Sequence, residues 1–353
     1  MNAKDGILVT VTIKDVAKKA NVAPSTVSRV IANNSTISTK TKEKVRAVME
    51  ELGYYPNVNA RNLVNNHTNV IGVIMPSATY APFHNPFFPE VLRGITTQAN
   101  EQRYGLYLST SQTDLDILEE VKEMVYSRRV DGIILLYSTI ADPVIDFLLD
   151  KSFPFVVVGQ PPEQLKEKVF FVNNDNVKAA KMVTEYLLLL KHKRIAFVGG
   201  RRDAFVTIDR KNGYIEALET SAIQIDESLM VYHDEIFEGG EKAVIELMSQ
   251  KNPPSAMIVT DDLMALGVLR MLFSMNVSVP DNMSVVSFNN VLMSKLSTPP
   301  LTTLDIHIHE LGYKAAQMLR QCILDPKASP TSHIVDHHLI RRATSRAHKE
   351  IST

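Results

Sequence analysis

Residues 12 to 31, TIKDVAKKANVAPSTVSRVI, leave this chain little freedom at its start. Val16, Ala17 and Ala20 recur at helical spacing, which predicts a first helix from Ile13 to Ala20. Thr12 stands where it can cap that helix, and Asp15, three residues on, completes a capping-box-like start at the positive end of the dipole. Asn21 follows where the chain must turn sharply, and asparagine enters the left-handed region at low cost. Pro24 suits a first helical position because its missing N–H would have no partner there. The second helix runs to Ile31 with Val27, Val30 and Ile31 inward, and a third, capped by Ser38 or Thr39, carries Val45, Val48, Met49 and Leu52 at helical spacing until Gly53 stops it.

The outer face of the second helix is Ser25, Thr26, Ser28 and Arg29. Hydroxyls suit phosphates and base edges, and a guanidinium fork matches O6 and N7 of guanine, so this face is what reading a DNA major groove requires. The alternative is a small helical subdomain with a solvated basic face. Charge supports the first reading. Residues 11–68 hold nine Lys and Arg against four Asp and Glu, a balance of +5, so with the whole chain at −1 residues 69–353 carry −6. A basic head on an acidic body is the asymmetry expected when only one end meets phosphate.

With 353 residues, 45% of them hydrophobic, the chain can bury a large core, and a head of roughly 60 residues leaves room for about two further domains. Cys322 is the only cysteine, and Leu319, Ile323 and Leu324 beside it point to a buried structural thiol rather than a reactive one. No run approaches the ~18 apolar residues of a membrane span, and the start, MNAKDGILVT, reads as an unstructured leader rather than a signal peptide. The expectation is a cytoplasmic protein with no membrane partner.

Between Gly53 and Val70 the polar stretch YYPNVNARNLVNNHTN reads as a linker with one short helical turn that Asn57 can cap. Leu63 would then be exposed on a marginal helix, either wedged between base steps of a minor groove or packed on the body. From Val70 apolar runs (VIGVIM at 70–75, YGLYLS at 104–109, DGIILL at 131–136, FVVVG at 155–159) alternate with amphipathic helices such as Glu90 to Gln102 and Asp116 to Ser127. The same rhythm restarts at RIAFVGG (194–200), SAMIVT (255–260) and MSVVSF (283–288). These are βαβ repeats of parallel sheets in two similar lobes, whose strand carboxyl ends would line one cleft.

The polar residues just after those strands are Asp175, Arg210, Asp261, Asp262, Asn289 and Asn290. Carboxylates, amides and a guanidinium beside aromatic rings suit a sugar, and Phe87, Phe88 and Phe237 would supply the rings. Asp175 and Asp261 also stand where they would cap the helices they precede, so both roles are open for each.

With these pieces in place the chain resembles the lactose/galactose repressor family of bacterial transcription regulators from about Val11 to Arg342. The resemblance is carried by TIKDVAKKANVAPSTVSRVI, KTKEKVRAVMEELGYYPNVNARNL, DDLMALGVLR and STPPLTTLD. It implies an α/β fold in which an all-α helix-turn-helix head precedes a two-lobed domain like periplasmic sugar-binding proteins. The expected division is a leader at 1–10, the DNA-binding domain at 11–56, a hinge helix and linker at 57–69, the two-lobed effector-binding and dimerisation domain at 70–342 and a tail at 343–353. Thr12, Ser25, Thr26, Ser28 and Arg29 would serve DNA from the head, and Asn57, Ala60 and Leu63 from a hinge helix formed on the operator. Effector contacts carry over to Phe87, Phe88, Asp175, Arg210, Asp261 and Asn289. Two departures stand out: Asn21 replaces the usual turn glycine, and SFNN at 287–290 has an amide where the pattern carries an acid, which removes one anionic acceptor for hydroxyls. The NPFF and hinge sequences are most similar to maltose-type regulators of low-GC Gram-positive bacteria.

A single recognition helix reads only a few base pairs, which argues for a homodimer on a pseudo-palindromic operator, formed through the bodies because RRATSRAHKEIST lacks leucines at heptad spacing. The resulting expectation is a repressor of maltose or maltodextrin utilisation genes, its operator affinity altered by a saccharide between the lobes. The alternatives are a regulator activated by a corepressor or partner protein, and a sugar receptor without DNA function. An enzyme is the remaining rival. His307 and His309 in HIHE and His337 and His338 in DHH do not have the HExxH spacing, alternation in an extended segment explains HxH equally well, and GxxxxGK[ST] and GxGxxG do not occur. No catalytic residue, metal site or cofactor is expected.

Overall fold

The computed structural model describes residues 11–55, 67–76, 84–109 and 113–348. They form two compact units, divided between Thr68 and Asn69. The leader and the hinge residues Asn57, Ala60 and Leu63 lie outside the described residues.

In the first unit, α1 (Ile13–Ala20), α2 (Pro24–Ile31) and α3 (Thr39–Leu52) pack around Val16, Ala20, Val27, Val30 and Val45, all buried. The Thr12 N–H and hydroxyl both donate to Asp15 Oδ2, at 2.9 and 2.6 Å, and these bonds hold the Asp15 carboxyl below its ordinary range. Asn21 ends α1 in the left-handed region at φ 51°, and Gly53 ends α3 there at φ 61°. Arg46 of α3 donates to Asn33 Oδ1 at 3.1 Å and so fixes the chain leaving α2.

The second unit is built on two six-stranded sheets. The first has the order β11-β5-β4-β3-β1-β2, with β1 (Val70–Ile74), β2 (Gly105–Leu108), β3 (Gly132–Leu135), β4 (Phe155–Val158), β5 (Phe170–Asn174) and β11 (Ser332–Val335) all parallel. Ile134 and Val156 face α4 (Phe87–Glu101) and α12 (Ile308–Leu324), while Ile133 and Leu135 face α5 (Asp114–Tyr126) and α6 (Pro143–Asp150). Burial on both faces explains the unbroken apolar runs of these strands. The second sheet has the order β12-β10-β9-β8-β6-β7, made of β6 (Ile195–Gly199), β7 (Met230–Tyr232), β8 (Ala256–Val259), β9 (Ser284–Phe288), β10 (Thr302–Asp305) and β12 (His338–Ile340). Only β12 runs antiparallel, against β10. Its faces are covered by α7 (Asn176–Leu189) with α8 (Phe205–Thr220), and by α9 (Phe237–Met248) with α10 (Asp262–Ser274); α11 is the short helix Leu292–Leu296.

The helix pairs α4 with α12 and α7 with α8 cross where Gly94 and Gly213 stand. A Cβ on Gly94 would collide with the backbone carbonyl of His309, and one on Gly213 with that of Val177.

The lobes are not consecutive halves of the chain. It passes between the sheets after β5, after β10 and after β11, so α12 and β11 complete the first lobe late in the sequence. The Asn174 amide, buried at this junction, donates to Ile306 O at 3.0 Å and Val335 O at 2.9 Å and ties the three passages together.

Two sequence expectations need correction. His307 is not in an extended run: it takes a left-handed conformation at the start of α12, which contains His309. Nor does a tail begin at 343. Thr344 is fully buried, accepts from Thr302 N–H at 2.8 Å and donates to Val285 O at 2.7 Å, and the His348 N–H reaches Leu190 O at 2.7 Å, so the body extends to the last described residue. Cys322 is buried in the core, its thiol pushed up to about 12 by burial, as an inert structural thiol should be.

Candidate functional site

On the head, α2 turns Val27 and Val30 into the core, and the helical period leaves Ser25, Ser28 and Arg29 exposed with Thr26 half-buried. None of these four side chains bonds to a described residue. Their donors and acceptors are therefore open to a groove. Thr12 is exposed as well, but its hydroxyl is engaged by Asp15.

Within the body a cavity of about 820 Å³ lies between the two lobes, walled by the loops that follow the strands of both sheets. Its size falls within the range of pockets for small organic ligands. From the first lobe come Asn85, Phe87 and Phe88 at the start of α4, with Ser138 after β3. The two phenyl rings meet edge to face, centroids 5.3 Å apart. From the second lobe come Phe205, Asp209 and Arg210 of α8, Asp261 after β8 and Asn289 after β9.

Arg210 is 3% exposed. Its Nε donates to Asn176 Oδ1 at 3.0 Å and one Nη to Thr260 O at 2.5 Å, while the guanidinium lies 4.3 Å from the centre of the Phe288 ring. Burial lowers its pKa to about 10, and Asp261, Asp262 and Asp209 oppose the shift. Asp261 uses Oδ1 to cap α10, accepting from Leu263 N–H at 2.7 Å, and Oδ2 to accept from Asn289 Nδ2 at 2.9 Å and from Asn85 Nδ2 at 3.1 Å. The Asn85 bond joins the lobes directly. On another wall, Phe205 N–H to Ser138 O at 3.2 Å and Ile140 N–H to Asp203 O at 3.2 Å do the same.

Behind the wall, Asp262 is fully buried. It accepts from Ser287 Oγ, from Thr303 Oγ1 at 2.7 Å and from Val291 N–H at 2.8 Å, and burial raises its carboxyl to about 7. The DD pair at 261–262 thus divides: Asp261 faces the cavity, and Asp262 fastens α10 to the second sheet.

Phe87, Phe88, Arg210, Asp261 and Asn289 are brought together on one cavity, whereas two expected residues are not. Asp175 is exposed and caps α7 through Lys178 N–H at 2.9 Å; its neighbours Asn173 and Asn176 line the cavity instead. Phe237 opens α9 outside the cavity wall, with Arg270 5.7 Å from its ring centre, and Phe205 supplies the second lobe's ring. Asn85, Asn176, Phe205 and Asp209 are cavity residues that strand-end reasoning missed. The asparagine-rich run NNDN at the end of β5 was the available signal for Asn176. Among the described residues, no group of three or more His, Cys, Asp or Glu could hold a metal ion.

A helix-turn-helix head followed by two α/β lobes around a cavity with both apolar and polar walls defines a class of ligand-responsive regulators, and comparison with known proteins fixes the family. Residues 12–57 match the bacterial regulatory proteins of the lacI family, and residues 184–345 match the periplasmic binding protein-like domain. The chain is 42% identical over 318 residues to the HTH-type transcriptional regulator MalR of Streptococcus pneumoniae, covering 90% of this chain and 94% of that protein. This chain belongs to the lacI family of bacterial regulatory proteins. Among solved structures it is similar to a transcriptional regulator LacI of Bacillus cereus subsp. cytotoxis (TM-score 0.78, 42% identity, 79% of this chain and 99% of that one). It is also similar to the transcriptional regulator CelR in complex with cellobiose (TM-score 0.75, 28% identity, 95% of this chain and 100% of that one).

Proposed function

We propose that the protein is a cytoplasmic, homodimeric repressor of saccharide utilisation genes, of the maltose or maltodextrin kind, released from its operator by a saccharide bound between the lobes. The observation that carries this reading is the cavity itself: a guanidinium, carboxylates and amides beside Phe87, Phe88 and Phe205, contributed by both lobes. Hydroxyls find paired donors and acceptors there, and the apolar face of a sugar ring finds phenyl groups. Two solved structures agree in kind, one named as a maltose operon transcriptional repressor and one, CelR, in complex with cellobiose.

In the mechanism that follows, Ser25, Thr26, Ser28 and Arg29 enter the major groove, with the hinge residues Asn57, Ala60 and Leu63 beside the minor groove. The saccharide replaces lobe-to-lobe bonds such as Asn85 to Asp261 with its own, and the two lobe arrangements differ in affinity for DNA. Only such differential binding can transmit the signal. Fluorescence anisotropy of the full chain on its own promoter region, titrated with maltose, maltotriose and cellobiose, tests the reading. Release from a saturable site by one of these sugars is the expected outcome; operator binding that none of them alters contradicts it.

A further inference from the structure

We propose that Asp209 reads the charge of the effector: its carboxylate accepts hydroxyl hydrogens from an uncharged saccharide and turns away phosphorylated sugars. The proposal rests on the saccharide reading above and names a residue and a ligand class within it. Asp209 sits on α8 in the cavity wall, 7% exposed, and no described residue donates a hydrogen bond to it. Its oxygens are not enclosed by protein but open on the cavity, where a ligand can reach them. Two other carboxylates of the cavity are held by the protein: Asp203 takes two bonds from Arg201 at 3.0 and 2.7 Å, and Asp261 is bonded through both oxygens.

The charged groups around Asp209 leave it unanswered. Lys166, which follows the short turn Glu163–Leu165 of the first lobe, is its strongest attractive neighbour, but that ammonium pairs with Glu163 at 2.5 Å. Arg210 gives Nε and one Nη to Asn176 and Thr260 rather than to Asp209, and Asp175 and Glu163 add like charge. Burial raises the Asp209 carboxyl to about 6, so at neutral pH it is ionised and still without a donor. A ligand hydroxyl completes it with a charge-assisted bond, whereas a phosphate brings a second anion to an enclosed wall where Coulomb repulsion is poorly screened. Around the whole cavity six carboxylates face two guanidiniums, those of Arg201 and Arg210, each hydrogen-bonded to the protein through Nε and one Nη.

Because hydroxyl donors favour the ionised form, saccharide binding lowers the Asp209 pKa. Affinity is then constant above about pH 7 and falls as pH drops through 6 toward 5, with proton release on binding in that window. The same residue opposes folding of the empty body: its raised pKa favours the protonated form in the native state, so its contribution to stability is present below its ordinary pKa and lost as pH rises through about 6.

Isothermal titration calorimetry of the full chain with maltose and with maltose 6′-phosphate, at pH 5, 6 and 7.5, tests this directly, alongside the variant Asp209→Asn and its thermal unfolding. The expected result is maltose binding at least a hundredfold tighter than the phosphorylated sugar. In Asp209→Asn, maltose affinity falls tenfold or more, the gap to the phosphate narrows, the pH slope disappears and the empty protein melts no lower than wild type. Wild-type maltose affinity and pH slope in Asp209→Asn overturn the proposal, as does equal binding of the two sugars by the wild type. Should Asp209→Asn fail to fold, Asp209→Ser is judged by the same outcomes, and equal binding of the two sugars by the wild type still overturns the proposal. If no sugar of the maltose, maltotriose and cellobiose panel binds the wild type, the saccharide reading itself falls, a result distinct from sugar binding that is indifferent to Asp209.

Discussion

In the head, Ser25, Ser28 and Arg29 stand in solvent with no described partner, while in the body Arg210 is 3% exposed and held by Asn176, Thr260 and the face of Phe288. On the proposed function the difference follows from the ligands. Duplex DNA is a rigid polyanion that brings partners to an outer face, so groove-reading side chains need only be presented, and their exposure costs the fold nothing. A small ligand must be enclosed before a few bonds can hold it, so its contacts come from walls that already carry the fold. Head and body should therefore respond differently to mutation: in the head function separates from stability, and in the body the two are entangled wherever a cavity side chain also holds the wall.

Arg210→Ala should show that entanglement most strongly. Saccharide affinity is expected to fall at least a hundredfold by calorimetry, and urea unfolding to show a loss of about 2–4 kcal/mol from the body, because Asn176 Oδ1 and Thr260 O lose their donor inside the protein. Operator affinity without saccharide should stay within about twofold of wild type. A comparable loss of operator affinity would mean that the substitution unfolds more than the cavity.

Asp262→Ala sharpens the contrast within the body. This carboxylate meets three donors, so removing it should cost about 2–3 kcal/mol in urea unfolding, whereas Asp209→Asn should cost nothing. Two buried aspartates, both with raised pKa, would then divide into one that serves the fold and one that serves a ligand. Equal destabilisation by both substitutions would erase that distinction.

Arg29→Ala is the mirror test in the head. Operator discrimination should fall by about 1–3 kcal/mol at the base pair that Arg29 reads, while thermal stability moves by no more than about 0.5 kcal/mol and saccharide affinity not at all. Uniform weakening on all DNA sequences would make Arg29 a phosphate contact instead.

The same division governs how far each region could be read from residues alone. In the head every determinant is local. Thr12 with Asp15, the turn at Asn21, Pro24 and the stop at Gly53 each act within about four positions, and α1, α2 and α3 lie at the expected bounds. The strands β1 to β4, β6, β8 and β9 of the body were also legible as apolar runs. The segment from 302 to 340 was not, because β10, β11 and β12 take their places through partners far away in sequence: β11 pairs with β5, and β12 with β10. The cavity shows the same limit at single residues. Asp175 and Asn176 are adjacent, yet the helix start turns the aspartate out to cap α7 and the asparagine in to hold Arg210. Asp209 is one residue before Arg210 on a helix, and nothing in that spacing says that a carboxylate there would be left without a donor.

The central claim is a coupling between cavity and head, and binding equilibria must show it from both sides. Maltose affinity should be measured by calorimetry on the free protein and on the protein saturated with operator DNA. Weaker maltose binding on the DNA complex is expected, by the same factor with which saturating maltose weakens operator binding, in the range of about 5- to 150-fold. Equal maltose affinity in the two states would mean that the cavity does not speak to the head.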